Sequence, residues 1–450
     1  LFNRLVATIV AGAVAIAAMA PPARAQSGEQ LALIRDTEVE AIIRTFGTPL
    51  WKAAGLEPSS VRVILVNDRS LNAFVAQGQN LFINTGTLIR SESANQLMGV
   101  MAHETGHMAG GHLSRAPEAY RNAIFTSLLA VALGVAGAVA GGGGSVGAAA
   151  ATGGMSIAQR QIFAFTRSQE QAADQAGVTF LDQIGQSSRG FLQFMEILSH
   201  KEALSSIQQD PYLRTHPLTS ERIEFLRNHV AHSPYSNAPT PPEFERLHRR
   251  MRAKLAAFMD PPAHTLDAWS PRDPSLDARY ARAIALYRIP DLAAAVPLID
   301  GLIRDFPKDP YFHELRGQML FENGRLAEAL PSYREAVALK PDAALIRIDL
   351  AHLELEMNDN SLVADAENQL NIAARAEPDQ PDLWRQLAVA YGRSNQLGMA
   401  SMALSEQALL EGRRFDARDQ ARRASRLLPV GSPGWLKAQD VETQALRERE

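Results

Sequence analysis

The stretch MAHETGHMAGGH, residues 101–112, places three histidines and one glutamate within ten positions. Side chains four apart on a helix leave the same face, so His103 and His107 project side by side. Two neutral imidazole nitrogens at that spacing can share one tetrahedral cation. Glu104 points to the edge of that face. It is too close to the first histidine to ligate beside it, but it can reach a water held by the metal. This is the H-E-x-x-H arrangement, in which zinc acidifies water and the glutamate takes its proton. The same glutamate can then protonate a leaving amine. A polar patch on an ordinary helix is the rival reading. Ser93 and Gln96 have capping-box spacing just ahead of LMGVMAHETGHMAGGHL, which predicts that the motif lies inside a helix of about five turns.

The pair needs further ligands, and the chain has no cysteine to offer. Any metal must be held by histidine and carboxylate. A metzincin would carry histidine six residues after His107. Position 113 is leucine and His112 is one residue out of phase, so that class is excluded. His112 is expected just outside the ligand shell or at the helix end, as a structural or hydrogen-bonding residue. The segment RQIFAFTRSQEQAADQAG offers Glu170 and Asp174, again four apart on one helical face. Glu170 can ligate zinc. Asp174 can accept the free N–H of a ligating histidine and fix its tautomer. Taken without the first motif, the two read better as a solvated helix face. THPLTSERIEFL carries His216, Pro217 and Arg222. Proline opens a helix, so His216 sits at its entry, where it could be a fourth ligand that must leave before water enters. Arg222, about two turns on, could stabilise a developing oxyanion. A capping histidine and a surface arginine remain the plain alternative on these residues alone.

Outward from these motifs, 450 residues exceed one compact domain, and 46% hydrophobic content leaves ample core. A net charge of −4 gives no electrostatic reason to bind nucleic acid. Residues 1–25 read as a secretory signal: Arg4, an apolar run from Leu5 to Ala20, and Ala23-Arg24-Ala25 as a cleavage site. Export with no cysteine suits a bacterial periplasm. A helical pattern opens near Leu31, VRVILVN (61–67) reads as a strand, and NAFVAQGQNLFINTG (72–86) as a hairpin. Residues 122–159 carry no charge. Their Ala/Gly-rich part, 122–155, is expected to be a mobile lid or a membrane-contacting segment. A spanning helix over 123–140 and a buried core helix are the competing readings.

The metallopeptidase domain is placed at 26–262 and a Pro-rich linker at 263–276. From 277 to 433 the pattern changes to repeats. Gly317, Gly324, Ala329, Tyr333, Ala336 and Pro341 fall at tetratricopeptide positions, and Pro307 and Pro341 are 34 residues apart, the length of that repeat. Trp384, Leu387, Ala388, Tyr391 and Ala400 follow the same register. Each unit is a helix hairpin that must stack to bury its apolar face. Residues 434–450 are expected to form a solvated end helix.

Together HETGH, SQEQAAD, NAFVAQGQNLFINTG and THPLTSER resemble the gluzincin zinc metallopeptidases of the HtpX and CAAX-prenyl-protease kind. With the signal and the repeats, the whole mature chain is similar to periplasmic β-barrel assembly-enhancing proteases. The resemblance implies one Zn²⁺ per chain held by His103, His107 and Glu170, with Glu104 as general base and Asp174 behind the ligands. It implies that His216 gates the metal and that Arg222 lies near the scissile carbonyl. It also implies that Asn80, Leu81, Phe82, Ile83 and Asn84 form an edge strand that binds substrate backbone by strand addition. The expected fold is mainly α with a small β-sheet, a zincin-like domain followed by an α-solenoid. The expected function is a zinc endopeptidase acting on misfolded or stalled envelope proteins, with the repeats meeting an outer-membrane assembly machine. The rivals are a non-catalytic chaperone or adaptor with structural zinc, and a membrane-anchored protease.

Overall fold

The computed structural model describes residues 32–76, 78–112, 167–204 and 216–447. The signal-like segment 1–25 and the Ala/Gly-rich segment 122–155 lie outside the described residues.

The first half is a four-stranded sheet packed against helices. Its strands are β1 (Leu33–Ile34), β2 (Arg62–Val66), β3 (Ala73–Ala76) and β4 (Asn80–Asn84), in the order β1-β2-β4-β3. β3 and β4 form the expected antiparallel hairpin, and β4 then runs parallel to β2, with Val63 opposite Leu81 and Leu65 opposite Ile83. This corrects one expectation. Asn80 to Asn84 is paired on both sides, so its backbone cannot accept an added strand; among the described strands β1 and β3 are the edges. The hairpin was legible in the sequence, but the parallel pairing that brings β2 alongside β4 was not, because it joins segments with no local signal between them.

Helix α1 (Thr37–Ala53) starts later than its apolar pattern, because Asp36 accepts from the Val39 N–H and fixes the cap there. Leu33 and Ile34 are thereby left to pair with β2. β4 leads through α2 (Thr85–Arg90) to α3 (Ala94–Ala109). Ser93 caps α3 by accepting from the Gln96 N–H, and the Gln96 side chain reaches back to the Glu92 N–H. Every residue from Ala94 to His107 is buried. A helix covered all round is a core helix, and its polar side chains must find partners inside the protein. α4 (Arg167–Gln183), α5 (Arg189–Leu204) and α6 (Ser220–His232) complete the cover. Phe46, Trp51, Leu97, Met98, Phe191 and Met195 centre the core they share.

α7 (Pro242–Met259) belongs to both halves. Met251 and Leu255 pack into the first core, while Ala253 and Ala257 pack with Tyr280 and Ile284 of the first repeat. After α8 (Pro262–Ala268) come five helix hairpins: α9 (Leu276–Arg288) and α10 (Leu292–Asp305), α11 (Pro310–Glu322) and α12 (Leu326–Leu339), α13 (Ala344–Glu356) and α14 (Val363–Ala376), α15 (Pro381–Arg393) and α16 (Leu397–Leu410), α17 (Arg414–Leu427) and α18 (Pro433–Arg447). Small residues make the crossings close. A Cβ on Gly317 would stand 2.8 Å from the Tyr333 ring. The last helix differs from expectation. α18 is not simply solvated, because Ala438, Val441 and Ala445 at helical spacing bury one face in the core of the final repeats.

Candidate metal centre

Three helices converge on the site. α3 contributes His103, Glu104 and His107, α4 contributes Glu170 and Asp174, and the lead into α6 contributes His216. All six side chains are buried. α3 and α4 approach closely because two glycines face the contact. A Cβ on Gly106 would lie 2.7 Å from the Ala173 carbonyl oxygen, and one on Gly177 would lie 3.1 Å from the His103 backbone nitrogen. Neither glycine was recognised from the sequence as a site residue. The available signal was Gly106 itself, inside the motif on the face beside the histidines.

His103 and His107 point their Nε2 atoms at each other, 3.1 Å apart. Glu170 spans the pair, with Oε2 3.5 Å from His103 Nε2 and Oε1 3.3 Å from His107 Nε2. His216 Nδ1 stands 3.2 Å from the same Oε1. One donor atom from each of these four residues lies within 4.8 Å of every other. Ligand atoms at zinc bond lengths of about 2.0–2.1 Å in a tetrahedron are separated by about 3.3 Å, so the nitrogen and oxygen spacings fit a zinc-sized cation. The donor set, nitrogen and carboxylate oxygen without sulfur, suits the same ion. Glu104 turns Oε1 to within 3.5 Å of His216 Nε2, and among the described residues neither of its carboxylate oxygens accepts a hydrogen bond.

Behind the ligand atoms, His103 Nδ1 lies 2.8 Å from Asp174 Oδ1. Asp174 in turn takes two hydrogen bonds from Arg222, from Nε at 2.6 Å and from Nη2 at 2.8 Å. Arg222 Nη1 lies 2.7 Å from Glu170 Oε2 and donates to the Pro217 carbonyl at 2.9 Å. The expectation that Arg222 faces a scissile carbonyl is therefore corrected. Its guanidinium is buried and committed to the two carboxylates of α4, which it holds in place. The fork geometry of arginine matches a carboxylate better than a transient oxyanion when both oxygens are presented at once.

The electrostatics follow from this packing in the metal-free chain. Burial opposes charge on His103, but its hydrogen bonds to Asp174 and Glu170 prevail and raise it to about 9. Burial drives His107 down to about 2 against a hydrogen bond to the Glu170 carboxylate, helped by the charge on His103 and His216. Asp174 is held low against burial by Arg222 and His103, and Glu170 is held low against burial by His216, His103 and His107. Glu104 is different. Burial lifts it above the usual carboxylate range, although His216 and His103 pull the other way. Two carboxylates near one centre are thus pushed in opposite directions, which separates a charged ligand from a proton carrier.

Residues 34–230, which hold the whole constellation, match the family model of Peptidase family M48. Residues 268–344 and 320–390 match two models of the tetratricopeptide repeat. The chain is a metalloprotease. Its sequence is 25% identical over 406 residues to a protein of Yersinia pestis named β-barrel assembly-enhancing protease, covering 89% of this chain and 82% of that one. It is 25% identical over 407 residues to the Escherichia coli (strain K12) protein of the same name, covering 89% and 81%. A Vibrio cholerae protein, named a putative member of the same kind, is 26% identical over 286 residues, 62% of this chain and 58% of that one. In this chain the residues that match the peptidase family precede those that match the repeats. Among the described residues, no helix is long and apolar enough to cross a membrane.

Proposed function

We propose that this metalloprotease is a zinc endopeptidase of the bacterial cell envelope that hydrolyses misfolded or stalled outer-membrane proteins and assists their assembly. The observation that carries the reading is the tight set of His103, His107, Glu170 and His216 donor atoms with the Glu104 carboxylate beside it. His103, His107 and Glu170 would hold the metal, which when bound supplies Lewis-acid polarisation of a peptide carbonyl and acidifies water. Glu104 is placed to take the proton of the attacking water and return it to the departing amine. Its raised affinity for protons, set by burial, suits both halves of that task. Asp174 and Arg222 keep His103 and Glu170 aligned. His216 would offer the metal a fourth donor and would withdraw to admit substrate.

The names of the relatives support the substrate class, and the repeats support a protein partner such as an outer-membrane assembly machine. Export to the periplasm rests on the leader read in the sequence, as does peripheral membrane contact on segment 122–155. The direct test is Glu104→Gln. The variant should bind zinc as wild type does and lose unfolded-protein cleavage by about 10²–10⁴-fold. Retained cleavage at full zinc loading would remove Glu104 as the base. His216→Ala should keep metal and cleave faster or with less restraint; loss of metal with no gain in cleavage would make His216 a plain ligand.

A further inference from the structure

The motif's third histidine is left unused by the mechanism above, and the end of its helix explains where it goes. α3 finishes at Ala109 and is followed by Gly110 and Gly111. Gly111 adopts φ +59°, the left-handed conformation that ends a helix and that a side chain resists. The Gly111 N–H then bonds the Met108 carbonyl at 3.1 Å, and the His112 N–H bonds the His107 carbonyl at 3.3 Å. This pair of bonds is the Schellman closure, and it folds the second residue past the cap back over the residue five positions earlier. An apolar pair commonly meets there. In this chain the two residues are His112 and His107.

Their rings meet edge to face, with centroids 4.9 Å apart, and Nδ1 of one lies 2.9 Å from Nδ1 of the other. The fit depends on Gly110, because a Cβ there would lie 2.5 Å from His112 Nε2. We propose that His112 is a positioning residue that accepts a hydrogen bond from His107 Nδ1 and so fixes the tautomer in which His107 Nε2 offers its lone pair to the metal. A neutral imidazole with a metal on one nitrogen carries its proton on the other, and that proton needs an acceptor. His103 has Asp174 for this purpose and His107 has His112. The spacing H-x-x-x-x-H, one short of a metzincin ligand, is the spacing that a glycine-ended helix turns inward.

The inference rests on the metal-centre reading, and the experiment separates the two. Zinc affinity is measured on the full chain by competition with a chromophoric chelator. His112→Phe keeps a ring without an acceptor and should weaken zinc by about 10–100-fold. His112→Asn carries an oxygen at the same branch as Nδ1 and should restore nearly wild-type affinity. Imidazole ¹⁵N spectra should show His107 protonated at Nδ1 in wild type and His112→Asn, and a tautomer mixture in metal-free His112→Phe. Equal affinity for wild type and His112→Phe would overturn the inference. So would equal loss in both variants, since that is the signature of packing alone. A wild-type chain that takes up no zinc in this titration would overturn the metal centre and this inference together.

Discussion

Two buried clusters of charge among the described residues are built on opposite plans. One joins the halves of the chain. Glu38 at the start of α1 meets Arg250 and Lys254 of α7 and accepts from the Tyr280 hydroxyl of α9 at 2.6 Å. Arg250 continues to Asp309 at the head of α11, and Lys254 reaches Asp36 at 2.8 Å. The anions here are met by the chain's own cations. The other cluster is the metal centre, where Glu104, Glu170 and Asp174 surround one permanent cation among the described residues, Arg222, and the His103 and His107 rings turn their Nε2 atoms toward one another. A divalent ion would bring that cluster to neutrality. Burial alone does not mark a functional site; burial with the counter-charge missing does.

The largest effect should come from breaking the self-satisfied cluster. Glu38→Ala leaves Arg250 and Lys254 buried without their shared carboxylate, at a cost of about 3–5 kcal/mol. Urea unfolding should show that loss, while zinc stoichiometry stays at the wild-type level. Unchanged stability would mean that Asp36 and Asp309 suffice for both cations, and that the interdomain cluster carries surplus negative charge as the metal centre does.

A smaller effect is expected from Arg222→Lys. Lysine keeps the charge but cannot fork onto Asp174 while reaching Glu170. Zinc affinity should fall by about 10–100-fold, as for other groups that orient ligands. Cleavage at saturating zinc should change much less. The reverse outcome, with unchanged affinity and a large fall in kcat, would restore Arg222 as an oxyanion-stabilising residue. It would also contradict the view that its role is to balance α4.

Much of the metal centre is legible in the sequence and the interdomain cluster is not, and the parts that escape share a cause. His103, Glu104 and His107 announce themselves because their relation is local, within one helix. Glu170 and Asp174 were found by the same spacing rule on a second helix, and Ser93 with Gln96 gave the start of α3. The commitment of Arg222 to Asp174 and Glu170 could not be read, because it depends on how α6 crosses α4, and no residue spacing records a crossing. The place of β4 in the sheet failed for the same reason. The repeats were visible through their period, yet the Glu38 cluster was not, since it depends on α1 meeting α7, α9 and α11, segments more than two hundred residues away in sequence. Local periodicity carries elements, and long-range charge balance carries the joints between them.

The mildest test lies where the interdomain cluster runs out of cations. Glu314 of α11 accepts from the Thr37 hydroxyl at 3.1 Å, but its Oε2 has no hydrogen-bond partner among the described residues. Burial pushes its carboxyl up to about 8 against the pull of Lys254, and the negative charges of Asp36 and Asp349 add to the rise. A carboxyl raised in the folded state binds its proton more tightly there than in the unfolded chain. Its contribution is therefore present below the unfolded value of about 4.3 and is lost as pH rises through about 8. Glu314→Gln keeps an acceptor for Thr37 and removes the titration. Solvent at this partly exposed position screens the effect, so the variant should gain only about 1 kcal/mol over wild type at pH 8.5 and nothing at pH 4. Urea unfolding of the two chains at both pH values measures it. Parallel stability at both values would show that Lys254 already serves Glu314, and the interdomain cluster would then be balanced to its edge.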